Sequence, residues 1–271
     1  DVVVGAPTEE TTFVEAGKVN VFYGGAAGLN TTAGTTILGP ALNSHLGEAV
    51  AGAGDVDADG YADVLVGVPD QSTAGFTRNG SVRLYRGAAG GLLAASPLLF
   101  ELADDELRFG AALALSDLNG DGQPELVVGA PGFEVLDGRV LVFSGRKGGW
   151  ETRAFAVLSG GQEGDLFGST LAVGKFADRN GKVDLAIGAP GWHGTHQEEG
   201  AVHVVRGEAV RTGTVGEVAS GVYVGSQTRA EVGRMLANGG DLDGDGLEEL
   251  VMGLPRMGHS PNKAGRLEIL W

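Results

Sequence analysis

The chain has 271 residues, 49 of them glycine, with 6% aromatics, no cysteine and a formal net charge of −16. So acidic a balance excludes a nucleic-acid binder, which needs a basic surface. No run of about 18 apolar residues is present to cross a membrane as a helix, and the glycine content suits many tight turns rather than long helices.

The chain opens in mid-strand with DVVVGAP, as a mature or trimmed product would, without a basic segment leading into an apolar one. GKVNVFYG follows and alternates apolar with polar residues, the period of a strand with one buried face. TTIL at 35–38 is a weaker strand. A fixed unit then sets in and recurs. It begins with an apolar-glycine pair: Leu46-Gly47, Phe109-Gly110, Phe167-Gly168 and Val232-Gly233. A small-residue strand comes next (EAVAGAG, AALALSD, STLAVGK, RMLANGG), then an acidic loop, then an apolar strand ending in Gly-x-Pro. A third strand opens with glycine (GSVRLYRG, GRVLVFSG, GAVHVVRG, GRLEILW), and a weaker fourth lies in PLLF (97–100), RAFAVL (153–158) and VYV (222–224).

Three of the acidic loops read Asp-x-[Asp/Asn]-x-Asp-Gly-x-x-[Asp/Glu]. Acidic residues at alternate positions followed by glycine wrap a hard cation, with side-chain oxygens from positions 1, 3, 5 and 9 and a carbonyl from position 7. The first loop offers Asp55, Asp57, Asp59 and Asp63 with the carbonyl of Tyr61. The second offers Asp117, Asn119, Asp121 and Glu125 with the carbonyl of Gln123. The third offers Asp241, Asp243, Asp245 and Glu249 with the carbonyl of Leu247. Gly60, Gly122 and Gly246 stand at the sharp turn, where a positive φ costs glycine nothing. All-oxygen ligands select Ca²⁺ over zinc or copper, and three such ions would offset part of the −16 charge. An EF-hand is excluded, because its closing Glu at position 12 is here Val66, Val128 or Met252, inside a strand. A fourth copy keeps Asp178, Asn180 and Asp184 but has Phe176 at position 1 and Lys182 at position 7, so it is expected to be weak or empty. Asp1 aligns with Asp63 and reads as the last residue of a further loop.

The Gly-x-Pro landmarks start at Gly5, Gly67, Gly129, Gly188 and Gly253, a spacing that marks a repeat architecture. Four short antiparallel strands per repeat describe a propeller blade, so the fold expected is all-β, a β-propeller with cation-binding hairpin loops. The blade units are approximately 1–45, 46–108, 109–166, 167–231 and 232–271 of one domain. The first lacks a strand 1 and the last a strand 4. At this point the chain resembles the FG-GAP repeats of integrin α-subunit propellers and their bacterial relatives. The resemblance implies a seven-bladed ring, five of whose blades are visible here, with the rest supplied by chain not shown; a five-bladed ring is the alternative. It also implies calcium loops on one face and, on the opposite face, partner-binding loops. Those are roughly 8–16, 70–79, 132–137, 191–199 and 256–264, with 39–45, 101–108, 159–166 and 225–231.

Other candidates read as structural. His193, His196, Glu198 and Glu199 share the 191–199 loop with Trp192, where a zinc site competes with a solvated loop on one aromatic anchor. Asp70-Gln71-Ser72 begins an adhesion-type metal motif, but Ala74 stands where a second serine is needed. The glycine-rich runs 24–29 and 87–92 precede no helix and read as turns, and His45, His203 and His259 are isolated. There is no cysteine nucleophile, Gly-x-Ser-x-Gly elbow or His-Glu-x-x-His. The reading is a non-enzymatic, calcium-binding extracellular or cell-surface propeller for adhesion or protein interaction. The lack of cysteine fits a bacterial surface or secreted protein better than an animal one. The alternatives are a carbohydrate-binding propeller, which requires exposed aromatics such as Phe76, Phe133 and Trp192, and an accessory domain of a secreted enzyme.

Overall fold

The computed structural model describes residues 1–271 apart from 74, 96, 103, 133–136, 256–264 and 271. The chain divides into two compact units, Asp1–Leu113 with Arg146–Gly149, and Ala114–Gly145 with Trp150–Trp271. Ala74, Phe133, His259 and the 256–264 loop lie outside the described residues.

The fold is all-β, built of five antiparallel propeller blades. In the first unit, β1 (Val2–Ala6), β2 (Lys18–Phe22) and β3 (Thr35–Leu38) form a three-stranded sheet in that order. β4 (Val50–Gly54), β5 (Asp63–Val68), β6 (Ser81–Tyr85) and β7 (Leu98–Glu101) form the next. In the second unit, from Ala114 onward, lies the sheet of β8 (Ala112–Ser116), β9 (Glu125–Ala130), β10 (Arg139–Phe143) and β11 (Ala156–Ser159). The fourth sheet has β12 (Thr170–Gly174), β13 (Asp184–Ala189), β14 (Ala201–Arg206) and β15 (Gly221–Val224). The last has β16 (Met235–Asn238), β17 (Leu250–Leu254) and β18 (Arg266–Leu270). Among the described residues the first sheet lacks a strand 1 and the last a strand 4, as the repeat pattern predicts.

The strands before Gly-x-Pro are the cores of the blades. Every residue of β5, β9 and β13 is buried, which is why they read as continuous apolar runs rather than as alternation. Third strands alternate more visibly, as in the half-buried and buried sequence of Lys18–Phe22. Each unit has its own apolar cluster. In the first, Val19, Ile37, Leu46, Val64, Val66, Val68 and Tyr85 pack together. In the second, one cluster includes Val127, Val142, Leu158, Phe167, Leu185 and Ile187, and another Val202, Val232, Leu250 and Met252.

The apolar-glycine pair and the Gly-x-Pro element explain each other. The apolar member is buried in every blade: Leu46, Phe109, Phe167 and Val232 are at most 1% exposed. Each forms a parallel bridge to the glycine that opens strand 3 of the preceding blade: Gly17 to Leu46, Gly80 to Phe109, Gly138 to Phe167 and Gly200 to Val232. A Cβ on Gly67 would stand 1.9 Å from the carbonyl oxygen of Gly110, and one on Gly5 equally close to that of Gly47. Backbones therefore touch where any side chain would separate neighbouring blades.

One segment departs from the repeat. Residues 207–218 hold a single 3₁₀ turn and a one-turn helix, Val215–Val218, entered through a Thr214–Glu217 capping box. Gly213–Thr214 runs parallel beside β11, and Val215 and Val218 are buried in the core. Neither the sequence periodicity nor the blade pattern signals this addition.

Candidate metal centres

The acidic loops connect the first and second strands of four blades, and they share one hydrogen-bond register. The position 1 carboxylate accepts the backbone N–H groups of positions 5 and 6 in each intact loop, and in the second and third loops that of position 4 as well. Asp55 takes those of Asp59 and Gly60 at 3.0 and 2.9 Å. Asp117 takes those of Asp121 and Gly122 at 3.0 and 2.8 Å. Asp241 takes those of Asp245 and Gly246 at 3.1 and 3.0 Å. Position 3 (Asp57, Asn119, Asp243) accepts the N–H of position 5. Position 5 in turn accepts the N–H of Tyr61, Gln123 or Leu247, which leaves those residues' own carbonyls uncommitted to these bonds. The turn glycines Gly60, Gly122 and Gly246 have φ of 94°, 87° and 92°, as the sequence predicts.

This wrapping turns the acidic side chains inward. Ligand atoms of Asp55, Asp57 and Asp59 lie within 4.8 Å of one another, as do those of Asp241, Asp243 and Asp245. Like charges brought this close repel unless a cation lies among them, and an all-oxygen donor set suits a hard one. The residues present therefore fit a divalent cation of the Ca²⁺ type. In the second loop Asn119 replaces a carboxylate, and its amide nitrogen donates to Asp121 and Glu125 at 3.0 and 2.9 Å. That position brings a single side-chain oxygen, already shared with the Asp121 N–H.

Position 9 has a different place from the other three. Asp63, Glu125 and Glu249 are buried, at 1%, 0% and 2% exposure, and none joins the inward-facing groups among the described residues. Each accepts the N–H of position 2: Val56 to Asp63 at 3.0 Å, Leu118 to Glu125 at 2.9 Å and Leu242 to Glu249 at 2.5 Å. Asp63 also accepts the N–H of Gly87, beyond strand 3, at 2.7 Å. Burial pushes the Glu125 carboxyl above its ordinary value against the pull of the Asn119, Leu118 and Gly145 N–H groups. Position 9 thus clamps the loop to its blade.

The damaged loop keeps this clamp. Asp184 accepts the N–H groups of Ala177 at 2.8 Å and Gly207 at 3.4 Å. Asp178 and Asn180 accept from Asn180 and Lys182 as in the intact loops, while Phe176 packs on the apolar cluster of Val202 and Val232. Asp1 accepts the Gly24 N–H at 2.7 Å, the same bond that Asp63 makes to Gly87. Its alignment with position 9 is matched by its geometry.

Trp150 escaped the sequence reading. It is 2% exposed, and its indole N–H donates to the carbonyl of Pro124 at position 8 of the second loop, at 2.8 Å. No local pattern distinguishes it from any other tryptophan, since the contact spans two hairpins.

The remaining candidates are tied into the scaffold. Asp70 is sandwiched between His45 Nδ1 at 2.6 Å and Arg108 Nε at 3.0 Å, and Arg108 also grips Glu48. Burial works to raise the Asp70 carboxyl, but Arg108 and His45 outweigh it and hold it below the ordinary value. His45, Glu48 and Asp70 also converge within 4.8 Å, though with a guanidinium already seated on both carboxylates. In the 191–199 loop, buried Glu199 accepts the Gly194 and Thr195 N–H groups and pairs with His196 Nδ1 at 2.8 Å. Trp192 packs against the core. That carboxylate orders the loop, and the His193–His196–Glu198 combination is not among the converging groups of the described residues.

Comparison with known proteins follows the same residues. The FG-GAP repeat model matches residues 46–85 and 109–143. Integrin alpha-4 of Xenopus laevis is 36% identical over 200 residues, covering 70% of this chain and 18% of that protein. Integrin alpha-5 of Xenopus laevis is 33% identical over 206 residues, 70% of this chain and 19% of its own length. Integrin alpha-7 of Homo sapiens is 32% identical over 223 residues, 79% and 17% respectively. The chain thus spans less than a fifth of the length of these relatives. No helix among the described residues is long and apolar enough to cross a membrane. The chain contains FG-GAP repeats in a β-propeller fold and is similar in sequence to integrin α chains.

Proposed function

We propose that this chain is a non-enzymatic, calcium-stabilised propeller of the extracellular or cell-surface space, serving adhesion or protein interaction. The observation that carries the metal assignment is the common register of the three intact loops. In each, positions 1, 3 and 5 are held by backbone N–H groups. The ligands assigned are Asp55, Asp57, Asp59 and the Tyr61 carbonyl; Asp117, Asn119, Asp121 and the Gln123 carbonyl; and Asp241, Asp243, Asp245 and the Leu247 carbonyl. Asp63, Glu125 and Glu249 hold the three loops from the blade side through the position 2 N–H groups. Ca²⁺ supplies charge neutralisation and fixes the hairpin; the chain's residues hold it and anchor it to strand 2. Loops of this kind outside cells work at roughly 10⁻⁴–10⁻³ M calcium.

The partner is assigned to the opposite end of each blade, where strands 2 and 3 are joined by variable loops such as 70–79 and 191–199. Rigid strands beneath variable loops are the usual arrangement for recognition. The protein-partner reading is preferred to the glycan reading because Trp192 is packed against the core rather than offered to a sugar face.

Calcium counting by native mass spectrometry tests the assignment. Asp57→Ala and Asp243→Ala each lose one ion from three, and Asp178→Ala loses none. An unchanged count in the first two variants refutes the ligand sets. For the partner, exchanging loop 70–79 or 191–199 for a glycine-serine linker abolishes binding to the extracellular protein captured by the intact chain. Binding that survives both exchanges refutes the assigned face.

A further inference from the structure

Two arginines occupy the same place in different blades and do the same thing. Arg86 directly follows strand 3 of its blade and Arg206 ends strand 3 of its own, and each precedes a glycine, Gly87 or Gly207, whose N–H binds the position 9 aspartate. Arg86 is ion-paired with Asp57, position 3 of the loop in its own blade. Arg206 Nε is ion-paired with Asp178, position 3 of the loop in its blade, at 3.0 Å. The corresponding residues after β2 and β10 are Tyr23 and Ser144, which carry no positive charge.

The Arg86 side chain has anchors besides the carboxylate. Its guanidinium also donates to the carbonyl of Gly148 at 3.3 Å, and the Gly148 N–H donates to the carbonyl of Val56, inside the loop, at 3.0 Å. The pair is only partly exposed, 32% for Arg86 and 22% for Asp57. Arg179, which reaches Asp245 of the third intact loop, is 66% exposed and far more screened by water.

We propose that the arginine at the end of or just after strand 3 is a built-in counter-cation for the position 3 aspartate, in competition with the metal. This rests on the calcium reading of the intact loops. In the blade of Asp178 the guanidinium stands permanently in place of an ion, because Phe176 has removed the position 1 ligand. In the blade of Asp57 the full ligand set is present, and Ca²⁺ must enter against Arg86. A unit positive charge a few ångströms from a divalent cation in a partly screened site opposes binding strongly. Arg86 therefore weakens calcium binding at the Asp55–Asp63 loop, and filling of that loop weakens the Arg86–Asp57 pair.

Calorimetric calcium titration of the whole chain, read beside melting temperatures in calcium and in chelator, tests this. Arg86→Ala strengthens one site by roughly tenfold and leaves the others unchanged. The gain vanishes when Asp59→Ala has already removed that site. The same variant melts lower than wild type in chelator, where Asp57 has lost its partner, and its gap between calcium and chelator widens. Arg206→Ala still binds three ions and loses the same melting temperature in either condition. A wild type that binds no calcium overturns both this inference and the metal assignment. A wild type that binds three ions, with Arg86→Ala leaving every affinity unchanged or weakening one, overturns this inference alone. A purely structural Arg86 lowers both melting temperatures equally, which also overturns it.

Discussion

The carboxylate of Asp63 accepts the N–H of Gly87 at 2.7 Å across 24 positions of chain, while its other oxygen takes the N–H of Val56 at 3.0 Å. One side chain thereby joins the acidic loop, the start of strand 2 and the end of strand 3. Asp63→Ala leaves two backbone donors without their acceptor at a buried site, a loss of about 2–4 kcal/mol. Denaturant titration is expected to find this loss in chelator as well as in calcium. Asp57→Ala, at the loop's inward face, destabilises more in calcium than in chelator, where its ion pair with Arg86 is lost but no metal ion is. Equal behaviour of the two variants in both conditions contradicts the division between clamp and ligand.

The clamp is separable from the metal in the damaged loop. Asp184 carries the same two backbone bonds with no complete ligand set around it. Asp184→Ala is therefore expected to destabilise by about 1–3 kcal/mol with no change in the number of bound calcium ions. A lost ion in that variant means the fourth loop binds metal after all.

Contact between blade backbones gives a third prediction. Gly67→Ala places a methyl 1.9 Å from the Gly110 carbonyl oxygen, and neither partner is a flexible side chain that yields. The expected cost is about 3 kcal/mol or more, since backbones must part. Gly60→Ala meets nothing within 4 Å but must hold φ at 94°, a cost of about 1 kcal/mol. Urea midpoints that rank the two variants the other way contradict the packing argument.

His203 makes one contribution to stability that depends on pH. It is 5% exposed in β14, meets the Phe167 ring edge-on at 5.7 Å and has no hydrogen-bond partner among the described residues on either ring nitrogen. Burial pushes its pKa from 6.5 down to about 4. Below pH 6.5 the unfolded chain takes up a proton that the folded chain refuses. This group therefore costs nothing above pH 6.5 and removes up to about 3 kcal/mol as pH falls from 6.5 to 4. His203→Leu flattens that part of the stability profile and is neutral or mildly stabilising at pH 7. A profile that keeps its slope in the variant assigns it to other groups.

Much of this architecture was legible in the residues because the repeat presents each element several times in one register. The TTIL strand at 35–38 falls where it reads, and the turn glycines have the positive φ that the loop spacing demands. Position 9 was legible as a carboxylate but not as a clamp. Its bonds reach Gly87 and Gly207, residues set by how strands 2 and 3 pair rather than by the motif. The arginine contacts were hidden for the same reason, since Arg86 and Asp57 are 29 positions apart. The helical turn at Val215–Val218 lies in a connection whose length varies among blades, and one buried face of two valines is too short to show a period.

Calcium in the three acidic loops is proposed to hold this fold together. Thermal unfolding of the metal-loaded chain, repeated after chelation and again after calcium is restored, tests it most directly. The melting temperature is expected to fall by many degrees in chelator and to recover with calcium but not with an equal concentration of monovalent salt. A single melting curve under all three conditions contradicts it.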